Sequence, residues 1–579
     1  MVLFSSLIGC GTRQSAIFPE VYSEAQPNTS STDVPVNNLI MLCKVWGFAK
    51  YTHPAFLTGE MCWDEELLGL IPIIFSADEG DVKDILYDWL LSLGDDGYYW
   101  MVGPSSTSDS VNVASKADWI NESFLGQPLA TILSGLNGSH AIGLRTAPVF
   151  FDSSGLSIFR NQDYHIDMDF SSYTYRLLGL FRLWNAMEYY FPHIDTLDED
   201  WSSLLAEFIP RMLEGNDRLS YEMTLMALSS HLRDVHLQFR RLEDNISLAH
   251  FMINELYGVV APPALFMEID GELTVFALIP EGYEEGQLMP GDIVVKLNDA
   301  YIDEIISSMS QNLSLPNDKL ALNFLMQNYL SFTLRQIPHD TPMKMVVIRD
   351  GTEVNLVIEV EDLLNLEELH HTGGPLLTRR SHELLENNIG LINPGTLSFN
   401  ANIRGIMMDF SDTNGLIIDM RQEPSHSTIM DLERYLLDRR TPFVNRKYPS
   451  RHVPGTFVMR ELLSGADREL PYDKNVVILM NEFTRSFGEH MVMSLRNGPN
   501  VTVIGSTSMG TAGFSITTLP LPGGISMSFA GIGMYDSENR QIHRIGLSPD
   551  VYVHRTRAGI LEGRDELMEF AIAFLIGND

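Results

Sequence analysis

The chain has 579 residues, 45% of them apolar, so it can bury several cores. At about 150 residues per domain, three or four domains are expected. It carries 76 acidic and 39 basic residues, a formal charge of -37. Because such a surface repels phosphate backbones, we expect no nucleic-acid partner. No apolar run approaches the roughly 18 residues of a membrane-spanning helix. The three cysteines form no disulfide framework and no Cys/His cluster, so neither a metal nor another cofactor is predicted.

The first element is a leader, predicted over residues 1–35. The run "MVLFSSLIGCG" ends in Cys10 and is followed by a Ser/Thr/Pro-rich stretch. It resembles a bacterial lipoprotein signal, although the positively charged start of such signals is absent. The resemblance implies an exported protein of the periplasm or outer membrane, attached through a lipid on Cys10.

Two helical modules follow, predicted over 36–170 and 171–255. "LCKVWGFAKYTHP" and a later "WDEELLGLIP" return as "LFRLWNAMEYYFP" and "WSSLLAEFIP" at one constant offset, so that Trp46 corresponds to Trp184. The apolar residues of both copies recur at helical spacing. Each copy therefore predicts two helices joined at a proline-containing turn. Residues 100–170 are rich in Ser, Asp, Gly and Asn and predict an irregular or short-stranded connection.

Short β-type runs fill the next predicted domain, 256–365. Its segment "GQLMPGDIVVKLNDA" is similar to the glycine-leucine and Gly-Asp signature of PDZ domains in bacterial proteases. The resemblance implies a β-rich domain with an open strand edge, to which an extended peptide can add through backbone hydrogen bonds.

The last predicted domain, 366–579, alternates strand and helix. Its apolar runs "IGLI", "GLIIDM", "VVILM" and "VTVIG" are short, continuous and bounded by turn residues. Strands covered on both faces have this pattern, so we expect βαβ units with a buried sheet.

Ser486 lies where the run 476–480 ends and a helix is predicted to begin. There the first N–H groups of the helix are free and carry partial positive charge. The N–H of Phe487 could therefore stabilise an oxyanion formed by attack of the serine. A serine that only caps the helix would occupy the same place, and position alone does not separate these alternatives.

The surrounding motifs resemble those of the tail-processing and tricorn family of serine peptidases. They are the T-x-S-x-x-E segment around Ser486 and, in the family's order, "LRDVHLQF", "GLIIDMR", "VTVIGSTSMGTAG" and "IGLSPDVYV". The paired helical modules are similar to those of secreted Bacteroides-type members. The resemblance spans about residues 36–575. It implies a multidomain α/β protein with helical repeat modules, a PDZ-like β-rich insert and a ClpP/crotonase-like peptidase core.

The resemblance also implies site residues. Ser486 corresponds to the nucleophile, and His236 to the histidine base of the tricorn-type branch, since no lysine follows Lys474. Imidazole suits a general base at neutral pH. For the third member we favour Glu489, at i+3 from the serine. Asp234 and Glu538 are the alternatives.

The predicted oxyanion donors are the backbone N–H groups of Phe487 and Ser425. The family's glycine-rich oxyanion loop is replaced here by "RQEPSH", in which Pro424 has no N–H to donate. Losing one such donor typically lowers the rate about 100- to 1,000-fold.

The predicted function is a serine-type endopeptidase that acts on protein or peptide substrates, presented by the PDZ-like domain, for example through a C-terminus. One alternative is a catalytically inactive peptide-binding protein of the cell envelope on the same scaffold. A binder of small apolar ligands is another, since relatives of this fold bind retinoids.

Overall fold

The computed structural model describes most of the chain. Cys10, and with it the predicted leader and lipid anchor, lies outside the described residues, as does Ser425. The described residues are 35–94, 117–136, 145–243, 247–248, 260–262, 264–278, 288–315, 342–359, 361–362, 380–424, 427–465, 472–511 and 513–577. Among them, no helix is both long and apolar enough to cross a membrane.

The first part of the chain is mainly helical. Its elements are α1 (Val36–Thr52), α2 (Pro54–Leu57), α3 (Trp63–Ser76), α4 (Val82–Ser92), α5 (Glu122–Leu125), α6 (Gln127–Leu136), β1 (Val149–Phe151), β2 (Ser157–Phe159), α7 (Tyr173–Tyr190), α8 (Leu204–Glu214) and α9 (Arg218–Ser230). Within the described residues, the stretch expected to be irregular or short-stranded contains the short antiparallel pair β1–β2 and also the helices α5 and α6, which were not predicted. Helix α7 is buried on nearly every side, and its buried polar side chains Arg176, Arg182 and Asn185 form hydrogen bonds.

Helices α1 and α7 meet at equivalent positions of the sequence repeat. The rings of Tyr51 and Tyr189 pack edge to face with centroids 5.7 Å apart. The Asn185 amide donates to the Cys43 carbonyl at 3.0 Å and lies where a side chain on Gly47 would stand. Contacts between equivalent positions occur where two similar units meet about a two-fold axis, as in symmetric dimers.

One contact within each copy of the sequence repeat also recurs in the structure. The indole of Trp46 donates to the carbonyl of Trp63 at 2.7 Å, and that of Trp184 to the carbonyl of Trp201 at 3.0 Å. These bonds fix the second helix of each pair against the first.

A six-stranded antiparallel sheet occupies the middle of the chain. It consists of β5 (Ala264–Ile269), β6 (Glu272–Leu278), β7 (Ile293–Leu297), β8 (Ala300–Tyr301), β9 (Met343–Arg349) and β10 (Thr352–Ile358), with α10 (Ile302–Ser310) between β8 and β9. It follows β3 (Gln238–Arg241) and β4 (Val260–Ala261), and β4 pairs with β11 (Glu361–Asp362). The assignment of this region to a PDZ-like domain stays a prediction, as do the domain boundaries.

A second six-stranded sheet forms the core of the C-terminal part. Its order is β12 (His382–Leu385), β13 (Ile389–Ile392), β14 (Gly415–Asp419), β17 (Val476–Met480), β18 (Val501–Gly505) and β21 (Val551–Tyr552). All neighbours are parallel except the edge strand β12. Every residue of β13, β14 and β17 is buried. The four predicted strands and the mixed α/β class are therefore confirmed.

The helices of this core are α11 (Ile403–Asp409), α12 (Glu433–Leu436), α13 (Phe487–Leu495), α14 (Arg557–Leu561) and α15 (Glu566–Ile576). Residues of α11 and α13 share one apolar cluster with the sheet, and residues of α15 share another. The parallel strands are thus covered on both faces.

A third sheet joins the two halves of the chain. Its main path is β16 (Phe457–Ser464), β15 (Thr441–Pro449), β20 (Ile525–Asp536) and β19 (Gly513–Leu521). Strand β3, which follows the helical part, pairs antiparallel with β20. This pairing carries the segment just before β3 into the C-terminal core.

The contact between α1 and α7 makes a prediction for Gly47→Ala. A methyl group there would displace the Asn185 amide, and such overpacking lowers the free energy of unfolding by about 1–3 kcal/mol. We therefore expect the midpoint of thermal unfolding to fall. Asn185→Ala in the same chain should recover part of the loss.

Gly135→Ala is the matched control, because it lies in helix α6 with nothing within 4 Å of the added carbon. It should leave the midpoint unchanged or raise it. Equal midpoints for both glycine variants would contradict the packing described.

Candidate active site

Ser486 lies on a strained turn between β17 and α13. Its φ of 48° and ψ of −113° fall in a region that residues with a side chain rarely adopt. Such a conformation costs about 1–3 kcal/mol and persists only where the surroundings hold it. A sharp strand-to-helix turn of this kind exposes the serine side chain above the carboxyl edge of the sheet.

His236 lies beside this serine, although the two residues are far apart in the sequence. Its Nε2 is 3.3 Å from Ser486 Oγ, and its Nδ1 is 3.1 Å from Asp234 Oδ1. A carboxylate only accepts hydrogen bonds, so Nδ1 carries the proton and Nε2 accepts from the serine hydroxyl. The serine–histidine distance is long for a hydrogen bond, as is common in unliganded sites.

A tight turn brings Asp234 to the imidazole. The Leu237 N–H donates to the Asp234 carbonyl at 3.0 Å, so the chain bends before β3 begins. Asp234 Oδ1 also accepts from the backbone N–H of His236 at 3.0 Å, and Oδ2 from that of Ala530 in β20 at 2.8 Å. The carboxylate is fully buried and bonded through both oxygens.

The charges of this pair shift both pKa values. Burial alone would lower the pKa of His236, but the hydrogen bond and charge of Asp234 outweigh it, and Glu489 and Glu423 add to them. The net result is a raised pKa for the imidazole. Burial alone would raise the pKa of Asp234, but the hydrogen bond and charge of His236 hold it well below its usual range. The Asp234 carboxylate therefore stabilises the protonated, imidazolium form of His236.

The placement predicted for Glu489 against the histidine is wrong. Its buried carboxylate accepts from the hydroxyls of Ser508 and Thr511 and from the N–H groups of Gly510 and Thr511. These four bonds turn it toward the loop 508–511, and Asp234 holds the imidazole instead. The other alternative, Glu538, is exposed and pairs with Arg540.

Two further histidines, His193 and His543, pack against each other near Asp234. The rings of His193 and His543 stack with centroids 4.1 Å apart and planes 11° apart, and both are buried. Burial lowers the pKa of His543 to about 4, so this ring is neutral at physiological pH. The stacked rings pack the loop after α7, which carries His193, against the core segment that carries His543.

Of the two predicted oxyanion donors, the structure describes one. Phe487 is the first residue of α13, so its N–H has no acceptor within the helix. The N–H of Ser486 itself donates to Thr511 Oγ1 at 2.6 Å. In the loop after β14, Glu423 pairs with Arg485 at 3.0 Å, and Pro424 lies close to Gly488. Ser425, the other predicted donor, lies outside the described residues.

An open cleft of about 360 Å³ adjoins Ser486 and His236. Three parts of the chain form its walls: the segment leading into β3, the segment after α10, and the core. Its lining residues are Met226, Val235, His236, Leu237, Gln238, Phe239, Arg240, Ser247, Asn312, Leu313, Ser314, Glu423, Arg485, Ser486, Thr511, Ile516 and Ser528. The serine is thus reachable by a chain bound along the cleft.

The fold and site together define an α/β protein with a serine on a strand-to-helix turn and a carboxylate-bound histidine beside it. Residues 388–553 match the sequence model of Peptidase family S41. This part of the chain, which contains Ser486 and the parallel sheet, is therefore similar to that family of peptidases.

Solved structures of mature CPAF share the fold. Mature CPAF complexed with lactacystin aligns with 70% of this chain and 99% of its own, with 13% identity and a TM-score of 0.50. Mature CPAF alone gives the same identity and TM-score over 98% of its chain. The photosystem II D1 C-terminal processing protease aligns with 66% of this chain and 93% of its own, at 16% identity and a TM-score of 0.38. No curated protein matches the chain.

Two residues of the site were missed or not favoured from the sequence. Asp234 has a signal, since the D-x-H spacing places a carboxylate two positions before the histidine. For Thr511 the only sequence signal is its position between glycines in the turn after β18. Its hydrogen bond to the serine N–H depends on how that turn folds back.

The Asp234–His236 bond makes a prediction for Asp234→Asn. The substitution removes the main group that raises the pKa of His236 but leaves the burial that lowers it. The pKa of the imidazole should therefore fall. The pH dependence of diethyl pyrocarbonate modification at His236, followed by peptide mass spectrometry, measures it.

Glu423→Gln is the matched control, because Glu423 is the weakest of the charges raising this pKa. It should shift the modification midpoint less than Asp234→Asn. An unchanged or higher midpoint in Asp234→Asn would show that this carboxylate does not hold the imidazole.

Proposed function

We propose that the protein is a serine-type endopeptidase that cleaves peptide bonds through an acyl-enzyme. One observation carries the proposal: Ser486 Oγ, His236 Nε2 and the Asp234 carboxylate stand in hydrogen-bond order at the side of an open cleft. A serine hydroxyl is barely ionised at neutral pH and needs such a base.

Acylation begins with attack of Ser486 Oγ on the substrate carbonyl while His236 Nε2 accepts the hydroxyl proton. The negative charge on the carbonyl oxygen is stabilised by the Phe487 N–H at the start of α13, with Ser425 as the proposed second donor. The imidazolium then gives its proton to the leaving amine, and the C–N bond breaks. Water, deprotonated by the same imidazole, releases the new carboxylate from the serine.

Asp234 takes the part that the sequence assigned to Glu489. It keeps the proton on Nδ1, so that Nε2 faces the serine, and it stabilises the imidazolium after proton transfer. In a comparable triad, replacing the aspartate by asparagine lowers kcat about 10⁴-fold. Asp234→Asn should therefore lower activity far more than Glu423→Gln.

The substrate would bind in the cleft as an extended chain. The cleft is open and its lining mixes polar and apolar side chains, which suits a peptide backbone together with varied side chains. Asn312, Leu313 and Ser314, which follow α10 of the middle sheet, contribute to it. We propose that this middle region is the PDZ-like domain that presents the substrate, and that the protein is exported and anchored through Cys10.

The rival function is peptide binding without catalysis. Pro424 favours it, because this residue of the oxyanion loop has no N–H and lies beside the helix that carries the serine. Such a protein would keep the cleft and lack an activated nucleophile.

A fluorophosphonate probe separates the two functions. Its phosphorus accepts an activated serine oxygen and loses fluoride, so the intact protein should gain one phosphonyl group, found on the peptide that contains Ser486. Ser486→Ala and His236→Ala should abolish labelling, and internal cleavage of an unfolded protein substrate should be lost with it.

Ser506→Ala is the matched control, since Ser506 follows the neighbouring strand and its hydroxyl donates to Glu482. It should label like the parent. A folded parent that binds peptides yet takes no label between pH 6 and pH 9 would establish the rival function.

A further inference from the structure

The strained backbone of Ser486 is held by a specific partner. The Ser486 N–H donates to Thr511 Oγ1 at 2.6 Å. This bond joins the turn that carries Ser486, after β17, to the turn that carries Thr511, after the neighbouring strand β18. It therefore restrains the serine from outside its own strand and helix.

Glu489 sets the direction of that bond. Thr511 Oγ1 donates to Glu489 Oε2 at 2.9 Å, and a carboxylate can only accept. The single hydroxyl proton of Thr511 is thereby committed to Glu489. The oxygen of Thr511 is therefore left to accept, and it accepts the hydrogen bond from the Ser486 N–H.

The remaining bonds of Glu489 fix where Thr511 stands. The N–H groups of Gly510 and Thr511 donate to the two carboxylate oxygens at 2.7 and 3.0 Å, and the Ser508 hydroxyl donates as well. All four partners are donors, so the ionised carboxylate fits the site, although burial raises its pKa. Glu489 lies on α13, one helical turn after the serine, and so ties the loop to the serine's own helix.

We infer that Thr511 and Glu489 are positioning residues that hold the nucleophile turn through the Ser486 N–H. The inference rests on the proposed function for its effect on rate. It assigns the serine N–H to a structural bond, which leaves the N–H of Phe487 to stabilise the oxyanion. It also gives the T-x-S-x-x-E glutamate a task other than contact with the histidine.

The rate test compares two substitutions at one position. Thr511→Val keeps the shape but removes the acceptor of the Ser486 N–H, so the second-order rate of fluorophosphonate labelling should fall about 10- to 100-fold. Thr511→Ser keeps the hydroxyl and should label within about threefold of the parent. The midpoint of the pH–rate profile should move less in Thr511→Val than in Asp234→Asn, because this substitution removes no charged group.

Thr413→Val is the matched control for a lost buried hydroxyl. Thr413 is buried in the core and donates to the Phe410 carbonyl at 2.6 Å. It should lower thermal stability without slowing labelling. A Thr511→Val protein that labels as fast as the parent, or a Thr511→Ser protein as slow as Thr511→Val, overturns the inference.

A second measurement needs no activity. Glycine tolerates the positive φ of position 486 and alanine does not, so Ser486→Gly should unfold about 2–8 °C above Ser486→Ala. If Thr511 enforces that backbone, adding Thr511→Val to both variants should shrink the difference. An undiminished difference overturns the inference, whereas absence of labelling in the parent would overturn only the proposed function.

Discussion

The buried carboxylate of Asp234 joins the two halves of the proposed catalytic centre. One oxygen holds the imidazole of His236 and the other accepts from the Ala530 N–H of β20. A charge so completely buried is stable only where it is fully bonded, and both partners depend on the pairing of β3 with β20. The position of His236 beside Ser486 therefore depends on the pairing of two strands from opposite halves of the chain.

The helical part explains how that pairing is held. Arg182 of α7 donates to the Pro520 carbonyl at the end of β19 and forms an ion pair with Asp64, and Tyr221 of α9 donates to the Pro522 carbonyl. These contacts lie at the turn between β19 and β20. The helices thus support the strand that carries Ala530, besides delivering the segment with His236. The contacts between α1 and α7 hold the two copies of the sequence repeat together.

Local sequence patterns predicted the core well because short apolar runs between turn residues are sufficient to mark buried parallel strands. They also placed Ser486 at the end of a strand and before a helix. The third member of the site was mispredicted for a physical reason. Spacing alone put Glu489 on the serine's helix face, but its carboxylate is bound by donors of the loop 508–511, beyond the next strand. Asp234 converges with His236 because of a turn fixed by distant contacts, which local spacing does not encode.

The central claim is that the Nδ1 proton of His236 is shared with Asp234 while Nε2 faces Ser486. Proton NMR of the intact protein measures it, because such a proton resonates far downfield of the backbone amides. We predict one resonance of this kind that is absent in Asp234→Asn and His236→Ala and that shifts in Ser486→Ala. The same downfield resonance in the parent and in both Asp234→Asn and His236→Ala would contradict the claim.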